Sequence, residues 1–325
     1  MQKKINNSSI SQICKQLNLA NKIAVFCHTR PDGDALGSGM ALTSALNNAG
    51  KYAVMCCDDS VPEKYKFLEK LSEVKSGIPE NVEFDTFICV DCADVNRIGS
   101  FASDFLSFKG RKINIDHHTS NKKFAEYNCV EECPATCQLL IEIFLQAGFE
   151  IDKEIANLLM LGLISDSGNF THSDVTEKTF EMAALLRKSG ADVTDINYQI
   201  FSRQTKLRAL LFGRVISNIR FALDDKLAFL VVTLDYFGES GVDIAVTEGF
   251  VDFPLTIDGI EVAVSLLEIK KNQYKISLRS KGKVNVNAVA GTFGGGGHIL
   301  ASGCMLHGEL EEVIEKITYA VYQNL

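Results

Sequence analysis

"KIAVFCHTRPDGDALGSGMALTSALNN", residues 22–48, decides the architecture. Its opening "KIAVFCH" is a short apolar run, as a buried strand requires, and it ends on His28. "TRPDGD" then concentrates turn formers, and helical spacing follows from about Ala35 to Asn48. Working outward, "YAVMCC" (52–57), "FDTFICVD" (84–91) and "KINID" (112–116) read as three more strands with helix-like stretches between them. Pro134 and Thr136 open a helix running to about Gln146, and another spans about 153–164. Short buried strands alternating with helices predict an α/β fold, a mostly parallel sheet with helices on both faces.

After Phe170 the pattern changes. Residues 176–222 read as mostly helical, and strands return from about 226 in "LAFLVVTL", "IEVAVSLLEIK" and "QYKISLRSK". "GGGGHILASG" and a helix over about 309–323 close the chain. A first domain over 1–195, a helical linker over 196–215 and a smaller α/β domain over 216–325 are therefore expected.

The chain has 325 residues, 46% hydrophobic and 23% charged, which suits a globular protein. No stretch approaches the roughly 18 apolar residues of a membrane span, and no apolar signal-peptide core follows the early lysines. Cytoplasm is the expected compartment, and the ten cysteines then read as small apolar fillers rather than a disulfide framework. A formal net charge of −8 argues against broad binding to long duplex or single-stranded nucleic acid. A small anionic substrate remains compatible, because local charge can oppose the total.

Ligands of open α/β sheets bind beyond the carboxyl ends of the strands. Those ends carry His28 with Asp32 and Asp34, then Asp91, then Asp116, His117 and His118; Asp166, in "GLISDSGNF", follows a helix. Singly, each has an ordinary reading as a turn residue, a helix cap or a hydrogen-bonded histidine. Jointly they put four or five carboxylates and up to three imidazoles on one edge. Such carboxylates repel one another and take up protons unless cations intervene. Two divalent ions would balance Asp32, Asp34, Asp91 and Asp166, and mixed carboxylate–imidazole ligation favours Mn²⁺ over Mg²⁺. Two such ions roughly 3.5–4 Å apart can activate water for an in-line phosphoryl displacement.

The segments "HTRPDGDALGS", "VDCAD", "DHH" and "SDSGNF" resemble the four motifs of the DHH phosphoesterase superfamily. "SLRSKGKVNVNAVAGTFGGGGHILASGC" resembles the C-terminal domain found with its standalone nanoRNase and pAp phosphatase branch. The resemblance implies that His28 and Asp32 hold one metal, that Asp34, His117 and Asp166 hold the other, and that Asp91 bridges them. It also implies that Asp116 orients an imidazole, that His118 faces the scissile phosphate or protonates the leaving oxygen, and that Arg97 lies near the phosphate. The implied activity is hydrolysis of very short oligoribonucleotides to mononucleotides and of pAp to AMP. A homodimer is compatible with it. The alternatives are a cyclic-di-AMP or pApA signalling phosphodiesterase and a catalytically silent nucleotide-binding protein.

Residues 270–283 carry six basic side chains and no acidic one. Strand alternation puts Lys275, Ser277, Arg279 and Lys281 opposite Ile276 and Leu278. An edge strand protected by lysines would account for the lysines but less well for Arg279 and Ser280. Gly295, Gly296 and Gly297, before His298, are expected to leave N–H groups free for a phosphate, aided by a following helix start. Arg279, Ser280, the glycines and His298 are thus the expected substrate-binding set.

Overall fold

The computed structural model describes residues 7–70, 73–238 and 244–325. The chain divides into two compact units, the first ending at Arg203 and the second beginning at Gln204.

In the first unit, six parallel strands are ordered β3-β2-β1-β4-β5-β6: β1 is Lys22–Phe26, β2 Tyr52–Cys56, β3 Val74–Lys75, β4 Thr86–Val90, β5 Arg111–Asp116 and β6 Tyr127–Val130. Alternation along the strands feeds two cores. Ile23 and Val25 of β1 and Ile88 and Val90 of β4 pack on one face. Helices α1 (Ile10–Leu19) and α2 (Gly33–Asn48) pack into that core. Ala24, Phe26, Phe87 and Cys89 point to the other face. There they meet Phe101, which ends the 3-10 turn Val95–Phe101, and Phe105 of α3 (Ala102–Ser107). Phe26 and Phe87 meet edge-on at 5.1 Å. A parallel sheet buried on both sides needs this near-continuous apolar content, so β1 and β4 read clearly in the sequence.

The first core is completed by α4 (Thr136–Ala147), α5 (Lys153–Asp166) and α6 (Glu177–Lys188). A short α7 (Val193–Asn197) runs into a π-helical turn, Tyr198–Ser202. Besides the two-residue β3, two elements of the first unit escape the sequence reading. The first is α1, although Ser9 and Gln12 form a capping box at its start. The second is β6, a four-residue strand whose buried Asn128 serves the loop by bonding Ala125.

The second unit opens with α8 (Lys206–Ser217). Its sheet is ordered β11-β12-β10-β9-β8-β7: β7 is Arg220–Ala222, β8 Leu227–Val232, β9 Val262–Lys270, β10 Gln273–Ser280, β11 Gly296–Gly297 and β12 Ala301–His307. Only the β8–β9 pair is parallel. Leu227 and Phe229 pack with α9 (Val286–Gly291) and α10 (Leu310–Tyr322), while Leu230 and Val232 face Leu211 and Val215 of α8. Two points raised by the sequence are decided here, the second against expectation. The basic strand β10 is internal, bonded on both sides by β9 and β12, so it is not an edge strand protected by lysines. No helix follows the glycine run either; "GGGGHILASG" folds as the β11–β12 hairpin, and helix α9 ends before it. Among the described residues, no helix is long and apolar enough to cross a membrane.

Candidate metal centre

The first sheet changes winding direction between β1 and β4, the place where such sheets bind ligands. His28 stands just beyond β1, Asp91 directly follows β4, and Asp116 ends β5 with His117 and His118 after it. Asp32 caps α2, accepting the Asp34 and Ala35 N–H groups at 3.1 and 3.0 Å. Asp34 sits in the first turn of α2, and Asp166 ends α5.

These side chains converge. His28 Nε2 lies 3.6 Å from Asp32 Oδ2 and 3.5 Å from Asp91 Oδ2. His117 Nε2 lies 3.5 Å from Asp91 Oδ1 and 3.2 Å from Asp166 Oδ2. Ligand atoms of His28, Asp32 and Asp91 fall within 4.8 Å of one another, as do those of Asp34, His117 and Asp166. Asp91 stands between the two groups, one oxygen toward each histidine. Its backbone is left-handed (φ 54°), a strained state for a non-glycine residue, and Thr136 Oγ1 donates to its Oδ1 at 3.1 Å.

Two histidines are oriented through Nδ1. His28 meets the Thr29 carbonyl at 2.8 Å, and His117 meets the Cys133 carbonyl at 2.9 Å. A carbonyl only accepts, so Nδ1 carries a proton and Nε2 is the atom presented to the carboxylates. His117 Nε2 is buried with no hydrogen-bond partner of acceptable geometry, despite its carboxylate neighbours. An orphaned nitrogen facing several carboxylate oxygens suits a cation lying among them.

The charges point the same way. Asp34 is fully buried, and its oxygens accept the Thr136 and Cys137 N–H groups at the start of α4, at 2.6 and 3.0 Å. Burial, then the Asp91 and Asp166 charges, pushes its carboxyl well above the usual range. Burial also raises Asp166, joined by the Asp91 and Asp32 charges and opposed by His117. For Asp32 burial is outweighed: His28 and the Ala35 N–H hold its carboxyl down at about 2. Burial would lower His28 and His117, yet the surrounding carboxylates hold each up at about 10. The unmetallated edge therefore keeps its imidazoles protonated, and a divalent cation would take the place of those protons. The donor set fits a metal.

His118 differs from His117. Its side chain is 44% exposed against 14%, and its Nδ1 is bound to Asp116 Oδ1 at 2.8 Å. That hydrogen bond raises the His118 pKa. Asp116 is itself buried, and its other oxygen accepts from Asn121 Nδ2 at 2.5 Å. One histidine thus faces the carboxylates, and the other is braced from behind and open to solvent. Arg97 is exposed on the turn Val95–Phe101; its carbonyl accepts the Thr29 N–H at 2.7 Å, and its guanidinium has no partner among the described residues.

Residues 22–163 match the N-terminal domain of the DHH family, and residues 224–323 match the DHHA1 domain. The bifunctional oligoribonuclease and PAP phosphatase NrnA of Thermus thermophilus is 30% identical over 305 residues, spanning 93% of this chain and 90% of the relative. The chain belongs to the DHH family. An exopolyphosphatase-related protein from Bacteroides fragilis shares this DHH protein's fold with a TM-score of 0.85 and 29% identity, over 97% of this chain and 95% of that one. Manganese-bound exonuclease RecJ is a fold-level likeness, with a TM-score of 0.54 and 16% identity over 97% and 95% of the two chains.

In the DHHA1 part, the expected binding residues do not form one face. Arg279 is half-buried, its Nε donating to Asp252 Oδ1 at 3.0 Å. Asp252 belongs to "VDFPLTIDG", a segment with no role in the sequence reading; its 3-10 turn Phe250–Thr256 carries Arg279's partner. Ser280 is buried on the opposite side of β10, and its hydroxyl accepts the Gly282 N–H at 3.0 Å. The Gly295 N–H donates to the Ala290 carbonyl at 2.9 Å and the His298 N–H to the Ala301 carbonyl at 2.8 Å, so neither is free for a phosphate. Gly296 pairs with Gly303 and Gly297 with Ser302. Gly297 has φ 149°, and a Cβ there would meet the Ala301 carbonyl at 2.6 Å. These glycines let a hairpin close tightly, and they present His298 exposed at its tip.

Sequence reasoning missed the supports of the centre: Cys133 through its carbonyl, Thr136, Asn121 and Gly162. A Cβ on Gly162 would come within 2.5 Å of Asp34 Oδ1, so glycine there admits the carboxylate between α2 and α5. The available signals were Pro134 just before a helix start, and Asn121 three residues after "DHH".

Proposed function

We propose that this DHH protein is a metal-dependent phosphoesterase that hydrolyses very short oligoribonucleotides such as pApA to mononucleotides, and pAp to AMP. The observation that carries this reading is Asp91, with one oxygen toward His28 and the other toward His117 among four carboxylates. The Thermus thermophilus relative, named for both activities, supports the substrate class. His28 and Asp32 would hold one divalent ion and Asp34, His117 and Asp166 a second, with Asp91 shared; the mixed donors favour Mn²⁺. When bound, the ions supply a water acidic enough to attack phosphorus at neutral pH, and positive charge against the phosphoryl oxygens.

The chain's own groups do the rest. Asp116 accepts the His118 Nδ1–H and raises its pKa, which favours the protonated imidazole, whose Nε2–H is donated to the leaving oxygen. Arg97, whose guanidinium has no partner among the described residues, meets the phosphate. In the second unit Arg279, aligned by Asp252, and His298 are the groups offered to a nucleotide; Ser280 and Gly295, Gly296 and Gly297 shape the strand end and hairpin that carry them. The ten cysteines are unpaired, which supports a reducing compartment, the cytoplasm.

Purified protein incubated with Mn²⁺ and pApA, beside pAp, cyclic-di-AMP and a twelve-nucleotide RNA, tests the reading. EDTA-sensitive conversion of pApA and pAp to AMP, with slow attack on the longer RNA, is expected. Preference for cyclic-di-AMP would favour the signalling alternative, and no turnover with metal bound would leave a nucleotide-binding role.

A further inference from the structure

Between His28 and Asp32, the exposed loop residue Arg30 takes the left-handed backbone conformation, with φ 53°. Glycine or asparagine is the ordinary occupant of that region, so a long side chain held there calls for a reason. The loop is fixed from two sides. Asp59 Oδ2 accepts the Arg30 N–H at 2.7 Å, and the Arg97 carbonyl accepts the Thr29 N–H at 2.7 Å. Two neighbouring carboxylates are thereby occupied, Asp59 by that backbone N–H and Asp58 by the N–H and hydroxyl of Ser100. Neither takes the Arg30 guanidinium, which has no partner among the described residues. The Thr29–Arg97 bond joins the two loops one residue from Arg30. Two arginines without partners thus stand on adjoining backbone next to His28, and such a pair gains from an anion placed between them.

We infer that Arg30 is a specificity-determining residue: with Arg97 it holds the phosphoryl group being cleaved, and it favours a phosphomonoester over a phosphodiester. This rests on the reading of the centre as a phosphoesterase. A phosphomonoester carries a charge of about −1.5 to −2 at neutral pH and offers three free oxygens. A diester carries a single charge and offers two. Guanidinium groups bind such oxygens through a planar fork. One arginine suffices for the diester, whereas the second finds both an extra oxygen and extra charge only on the monoester. The two substrates pAp and pApA bear the same 5′-phosphate, so comparing them isolates the group that is cleaved.

Steady-state kinetics of Arg30→Asn with Mn²⁺ on both substrates tests this. Asparagine tolerates the left-handed backbone, so the variant should keep the parent's melting temperature and metal content. Its kcat/KM for pAp should fall about tenfold or more, as for one lost hydrogen bond to a charged group, and that for pApA by about threefold at most. Calorimetric affinity for AMP, itself a monoester, should weaken alongside. Arg30→Lys keeps the charge without the fork and should recover part of the pAp activity; it decides alone if Arg30→Asn does not fold. An equal fall on both substrates, or no fall on pAp in either variant, would overturn the inference and leave the phosphoesterase reading standing. A parent that cleaves pApA but not pAp would overturn it as well, and a parent that cleaves neither would remove both.

Discussion

The two units carry their polar groups in opposite ways. In the first, Asp34, Asp91 and Asp116 are buried, and each is fixed by hydrogen bonds from neighbouring backbone or side chains. In the second, Arg279 is half-buried on a strand face with one carboxylate partner, and His298 is exposed on a hairpin tip. Buried, over-determined groups suit chemistry, which tolerates little displacement. More accessible, less constrained groups suit recognition, which tolerates more. The difference predicts that damage to the first unit should fall on kcat and damage to the second on KM.

The most severe test is Asp91→Asn. It should strip the centre of bound metal and lower turnover by at least about 10²-fold, the low end for a group stabilising developing charge. Elemental analysis beside steady-state kinetics reads both. His118→Ala should cost about 10²–10⁴-fold in kcat, the range for a general acid, while metal content stays at the parent level. Metal loss in that variant would erase the distinction drawn between the two histidines. Arg279→Ala should raise KM for pApA about tenfold with a smaller change in kcat, and Asp252→Ala should follow it more weakly. An equal fall in kcat would place Arg279 with the chemistry instead.

Much of this was legible because the decisive signals are local. β1 and β4 are apolar runs closed by polar residues, so His28 and Asp91 could be read directly off strand ends. Asp166 needed only a helix end. What stayed hidden depends on contacts far apart in sequence. Thr136 reaches Asp91, and Asp34 accepts N–H groups from the start of α4. Asp252 reaches Arg279 from another element. Ser280 is different, since the alternation that turns Arg279 outward turns its neighbour inward. The glycine run misled because four glycines fit an anion-binding turn and a tight hairpin equally well; only pairing with β12 decides between them.

A further test separates the units by pH. Protons compete with metal for Nε2 of His28 and His117, whose pKa values stand at about 10 in the unmetallated site. Raising the pH toward neutrality and beyond should therefore tighten Mn²⁺ binding, by about tenfold per pH unit for each proton displaced. Calorimetry in buffers of different ionisation enthalpy would count those protons. The proposed nucleotide binding by the second unit should lack this metal-linked dependence.

The centre draws its side chains from positions running from His28 to Asp166, contributed by three strand ends and two helices. No short segment can assemble it, so an unfolded chain offers little that would hold a metal tightly. Occupancy by a metal would then report completion of the whole first sheet, and its binding free energy would accrue almost entirely to the native state. A slow-forming parallel topology would thus be locked after it closes rather than guided while it forms.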